Sequence, residues 1–228
     1  MEKLVKEKLV EIESEYNTKI LYACESGSRA WGFPSPNSDY DVRFIYSHDL
    51  DWYLSLRDKK DTIDLPINDD LDIGGWEIKK ALGLLWKSNP PLLEWLQSPI
   101  AVMHHYLSMS KKYLEACQQT DQVKLKKYFY ALRTAIAGKW VREKGSIPHI
   151  ELPKMFGVVT EEIQIKIEEL IVIKSQQNED YLHTREPLID EFLSETIRQN
   201  EAVANDLPSA NGDIEELDKF YRKVAKNA

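Results

Sequence analysis

The chain has 228 residues, enough to bury a sizeable core without disulfides or structural metal, and its 43% hydrophobic and 30% charged residues exclude a wholly disordered chain. With 30 basic against 38 acidic residues the formal charge is −8, which speaks against indiscriminate binding to nucleic acid. The two distant cysteines, Cys24 and Cys117, point to a reducing compartment rather than a zinc cluster, and neither a membrane-length apolar run nor a signal-peptide core is visible, so a cytoplasmic protein with no membrane partner is expected.

Leu4, Val5, Leu9, Ile12 and Tyr16 recur at helical spacing with charges between them, which predicts an amphipathic helix over residues 2–16, ended by Asn17. Lys19–Cys24 is short, apolar and rich in β-formers, and reads as a buried strand. A Gly27-Ser28 turn follows. If the chain enters a helix there, the free N–H groups of its first turn and the Ser28 hydroxyl face the end of the sheet, a natural seat for a phosphate. Beyond a loop punctuated by Gly32, Pro34, Pro36 and Asn37, residues 39–46 alternate as a strand. Asp39, Asp41 and Arg43 share one face, and Tyr40, Val42 and Phe44 the other. Two carboxylates on same-side positions of one strand suit Mg²⁺, which takes hard oxygen ligands, commonly one or two carboxylates plus substrate phosphates. Arg43, on their face, is expected near the site or paired with an acid in it.

Trp52, Tyr53, Leu54 and Leu56 suggest a short helix, with His48 a turn residue before it, and residues 61–70 read as a loop. Asp70-Leu71-Asp72-Ile73 forms a third short strand with Asp70 and Asp72 on one face. Gly74-Gly75 is expected to turn the chain sharply into a helix over 76–87, and Asn89-Pro90 to stop it before a second helix over 92–97. After Met103 no strand pattern returns. Helices are predicted at about 108–118, 121–144, 159–176, 187–204 and 213–226, the last opened by Asp213 and Glu216 at capping-box spacing. Between Lys111 and Lys144 nine bases face three acids, either as a solvated helix face or as a surface for a polyanion. Trp31 is expected in a core, with base stacking the alternative, and His183 in a structural role.

Gly27-Ser28, ten residues and then Asp39-Tyr40-Asp41 resembles the signature of the DNA polymerase beta-like nucleotidyltransferase superfamily. The fuller run, Gly27-Ser28-Arg29-Ala30-Trp31-Gly32 before Ser38-Asp39-Tyr40-Asp41-Val42-Arg43, is similar to the RNA repair pathway DNA polymerase beta family of predicted nucleotidyltransferases, as are residues 71–82 and 88–96. The resemblance implies an α+β chain: a polymerase-beta-like core with a small mixed sheet and helices over residues 1–102, then an all-helical domain over 103–228. It implies a two-metal-ion, NTP-dependent nucleotidyltransferase in which Asp39, Asp41 and Asp72 are catalytic ligands of Mg²⁺ or Mn²⁺. Asp70, on the face of Asp72, is the fallback. Gly27, Ser28, Arg29 and Arg43 would bind the nucleoside triphosphate, ATP by default, with RNA as acceptor. The alternatives are an antitoxin-type enzyme that adenylylates a protein acceptor, and a non-catalytic nucleotide-binding module.

Overall fold

The structure, a computed structural model, describes residues 1–66, 71–86, 102–146, 148–204, 206 and 214–227. Asp70, the expected helix over 92–97 and the capping residue Asp213 lie outside them. The chain forms two compact units, one of Met1–Ser26, Asp39–Trp95 and Asn211–Ala228, the other of Gly27–Ser38 and Leu96–Ala210.

In the first unit, helix α1 (Glu2–Tyr16) ends where Asn17 takes the left-handed conformation, φ 47°, and its N–H closes onto the Glu13 carbonyl. Strands β1 (Lys19–Ser26), β2 (Tyr40–Ser47), β3 (Thr62–Asp64) and β4 (Leu71–Glu77) build one mixed sheet in the order β1-β2-β4-β3. β2 and β4 pair in parallel, and β1 and β3 flank them antiparallel. β1 was expected to be buried, yet as an edge strand it leaves Leu21 and Tyr22 about two-fifths exposed. The alternation of β2 and β4 decides the two cores. Val42, Phe44, Tyr46, Leu71 and Ile73 pack with Ile12 of α1 on one face. On the other, Ile45 packs with Ile78 and Ala81 of helix α4 (Ile78–Trp86), joined by Tyr221 and Val224 of the C-terminal helix (Ile214–Asn227).

The Gly74-Gly75 pair does not turn the chain: β4 runs through it to Glu77, and α4 begins one residue later. The reason is packing. Gly75 lies opposite Phe44, and a methyl built on it would stand 2.3 Å from the Phe44 ring. Between β2 and β3 a one-turn helix α3 (Leu50–Leu54) is capped by Asp49, whose carboxylate accepts the Trp52 N–H at 2.8 Å. His48, expected as a plain turn residue, is buried and stacks on the Trp52 ring at 4.1 Å.

The second unit centres on a long helix, α6 (Leu125–Lys144), buried along most of its length. Around it stand α5 (Val102–Cys117), a 3-10 helix (Leu152–Val158), α7 (Glu161–Ser175) and α8 (Pro187–Ala204); the C-terminal helix is α9 in chain order. The helical expectation holds except for one strand pair, β5 (Gln122–Lys124) with β6 (Leu182–Thr184). Each is three residues long, too short to leave a period in the sequence.

Candidate active site

The carboxylates sit where two central strands run side by side. In the parallel register of β2 and β4, Asp41 pairs with Asp72, so the ladder itself brings two acids to adjacent positions on one face of the sheet. Arg43 lies two residues on, on the same face, and bends back over them. Its Nη2 donates to Asp72 Oδ2 at 2.6 Å and to Asp41 Oδ1 at 3.2 Å. Its Nη1 donates to the carbonyls of Val42 at 3.0 Å and Asp72 at 3.1 Å. All three side chains are between one-fifth and one-quarter exposed, so the cluster is shielded from water but open to a ligand.

The donor set is of the kind Mg²⁺ takes, hard carboxylate oxygens on neighbouring strands. Two hard carboxylate oxygens already converge on one positive nitrogen, and such a pair, completed by phosphate oxygens, is what Mg²⁺ takes from a protein. Asp39 stands differently. It precedes β2 by one residue and is outside the ladder, so no strand register ties it to Asp72. Among the described residues no group of three or more His, Cys, Asp or Glu side chains is placed to hold a metal.

The other part of the motif belongs to the helical unit. Gly27 takes φ 73°, in the left-handed region that favours glycine, and opens a single helical turn, α2 (Gly27–Ala30). Ser28 is 3% exposed and its hydroxyl donates to Ser38 Oγ at 3.1 Å. Ser38 in turn donates to Glu179 at 2.9 Å and accepts the Ser35 N–H at 2.9 Å. Arg29 donates to the Ser38 carbonyl at 3.3 Å, so it braces its own loop. Two more polar ties come from beyond the loop: Lys174 donates to Ser35 Oγ at 2.7 Å, and the Glu179 N–H reaches Asn37 Oδ1 at 3.2 Å. Burial pushes the Lys174 ammonium down to about 8, against the opposing pull of Glu179. For Glu179 burial pushes upward, but hydrogen bonds from Lys126 and Ser38 outweigh it and hold the carboxyl below its ordinary range.

The loop is also held by aromatic packing. Phe33 stacks on Phe129 at 4.8 Å, and Trp31 meets Tyr130 edge-on with the Arg133 guanidinium 4.5 Å from its ring. Trp31, half-buried, thus packs on Tyr130 and lies beneath the Arg133 guanidinium. Part of the basic run of the helical unit is engaged internally: Lys111 pairs with Glu201, Lys124 with Asp180 and Lys126 with Glu179, while Arg142 binds Asn200 and Gln199. His183 contacts Glu186 at 3.4 Å within the same unit. Sequence reasoning missed Lys174 and Glu179, which lie more than 130 residues from the loop they hold and carry no motif.

The profile of the RNA repair pathway DNA polymerase beta family matches residues 1–103 and 101–223. A protein of Bacillus subtilis (strain 168), "Uncharacterized protein YcgL", is 38% identical over 239 residues, an alignment covering 94% of this chain and 92% of that protein. Among the described residues no helix is long and apolar enough to cross a membrane.

Proposed function

Because the chain belongs to the RNA repair pathway DNA polymerase beta family, a polymerase-beta-like nucleotidyltransferase family, we propose that it moves a nucleoside monophosphate from an NTP, ATP by default, to a hydroxyl on RNA and releases pyrophosphate. The observation that carries this reading is the Asp41–Asp72 pair, set side by side by strand register and converging on one cationic nitrogen. Asp41 and Asp72 would hold Mg²⁺ or Mn²⁺, with Asp39 added by the family motif; bound there, the ions would neutralise charge on the attacking and leaving oxygens of an in-line displacement.

The residues of the chain divide the remaining work. Asp72 accepts the proton of the acceptor hydroxyl as its oxygen bonds to the α-phosphorus and the bond to the β-phosphate oxygen breaks. Arg43 restrains both carboxylates and is a cation at hand for a phosphate oxygen. The family motif assigns Gly27 and Ser28 to the triphosphate, and within their own unit Arg29 braces that loop through the Ser38 carbonyl.

The test is transfer of label from α-labelled ATP, CTP, GTP and UTP, with Mg²⁺ or Mn²⁺, into total RNA and cell protein. Label in RNA that falls at least about a hundredfold in Asp72→Asn supports the proposal and names the nucleotide. Label in a protein band replaces the RNA acceptor with a protein one. Nucleotide bound without transfer to either would contradict catalysis.

A further inference from the structure

A concave site lies in the sheet-bearing unit, away from the carboxylate pair. It is a cavity of about 400 Å³ at the far end of β4, lined by Trp52 and Tyr53 of α3, Arg57 and Lys59 of the following chain, Lys79 of α4 and Tyr221 of α9. Asp72 and Glu77 stand at opposite ends of that strand, roughly 16 Å apart at about 3.3 Å per residue, so the cavity is not part of the candidate active site.

Its aromatic wall is a packed row of rings. Trp52 stacks on the buried His48 with ring planes 10° apart, Tyr53 meets Trp52 edge-on at 5.2 Å, and Tyr221 meets Tyr53 edge-on at 5.6 Å. The acids around it are already engaged. Glu77, 2% exposed, accepts the Tyr53 hydroxyl at 2.7 Å and caps the start of α4 through the N–H groups of Lys79 and Lys80. Asp61 pairs with Lys80 at 2.7 Å. Three cations are left facing the cavity against the single carboxylate of Asp58. Arg57 and Lys79 have no ion pair among the described residues, and Lys59 rests its ammonium 4.9 Å from the Trp52 ring centre.

We propose that this cavity binds one nucleotide of a single-stranded RNA, its base replacing the Lys59 ammonium over the Trp52 ring and its phosphate on Arg57, Lys79 and the displaced Lys59. Aromatic faces joined to flexible cations are the means by which proteins hold unpaired strands, since every base has a π-face and every linkage a charge. The volume is at the small end of ligand cavities, which suits one nucleotide. As an RNA site the cavity rests on the acceptor proposed above; as a nucleotide pocket it stands without any transfer reaction.

Both levels are separated by measuring binding of a labelled single-stranded oligoribonucleotide by anisotropy, together with quenching of tryptophan fluorescence, in the full chain. Wild type and Asp41→Asn should bind alike, even with transfer lost in the variant. Arg57→Glu with Lys79→Glu, both exposed positions, should weaken binding at least tenfold, flatten its dependence on salt and leave the thermal midpoint unchanged. Trp52→Leu should remove the quench. Affinity within twofold of wild type in the double variant would overturn the proposal. So would quenching by a free mononucleotide that the oligonucleotide does not reproduce.

Discussion

Arg43 is the shared counter-ion of two neighbouring carboxylates. Without it, Asp41 and Asp72 would face each other across one ladder position with like charge. Arg43→Gln is therefore expected to destabilise the metal-free protein by about 1–2 kcal/mol, less than a fully buried pair would cost because the groups are partly exposed. Mg²⁺ should restore part of that loss, so the rise in urea midpoint on adding Mg²⁺ is predicted to be larger in Arg43→Gln than in wild type. Equal rises would argue that no cation enters between the two carboxylates. Much of this cluster is legible in the sequence, because period-2 alternation alone puts Asp41 and Arg43 on one face and Asp72 on a strand that can lie beside them. The pairing of Arg43 with both acids follows from the register, which alternation does not supply.

The register of β2 against β4 is the element on which the site depends, and Gly75 shows how it is kept. Phe44 is fully buried and lies over Gly75, so the strands can approach only where the partner has no side chain. Gly75→Ala should cost about 2–3 kcal/mol, at the upper end for overpacking because ring atoms stand within 2.6 Å of the new methyl. The same change in a Phe44→Leu background should cost much less, and equal costs in the two backgrounds would locate the strain elsewhere. This is also where pattern reading fails. A glycine pair after a short alternating run looks like a turn, and only the partner ring explains it as strand. Long elements such as α1, α6 and α8 are visible through their apolar spacing, whereas β3, β5 and β6, at three residues each, carry no more than one alternation.

At the scale of the molecule, the helical unit owns the Gly27–Ser38 loop, which Lys174, Glu179, Phe129 and Tyr130 hold from below. Holding it has an electrostatic cost. The folded-state value of Lys174, about 8, lies below its ordinary 10.5, so between these limits the unfolded chain keeps a proton that the folded chain has lost. Stability contributed at this site is thus lowest and constant below pH 8 and rises from pH 8 toward 10.5. Lys174→Met lacks this titration, so the difference in unfolding free energy between variant and wild type should shift in favour of wild type on going from pH 7 to pH 9.5. A difference independent of pH would show that Lys174 titrates normally. Whether Asp41 and Asp72 serve nucleotidyl transfer is read from the pyrophosphate released from NTPs with Mg²⁺, total RNA and cell protein supplied. Wild type should release pyrophosphate rather than orthophosphate, and Asp41→Asn and Asp72→Asn almost none. Equal release from wild type and both variants, or orthophosphate alone, would contradict that role.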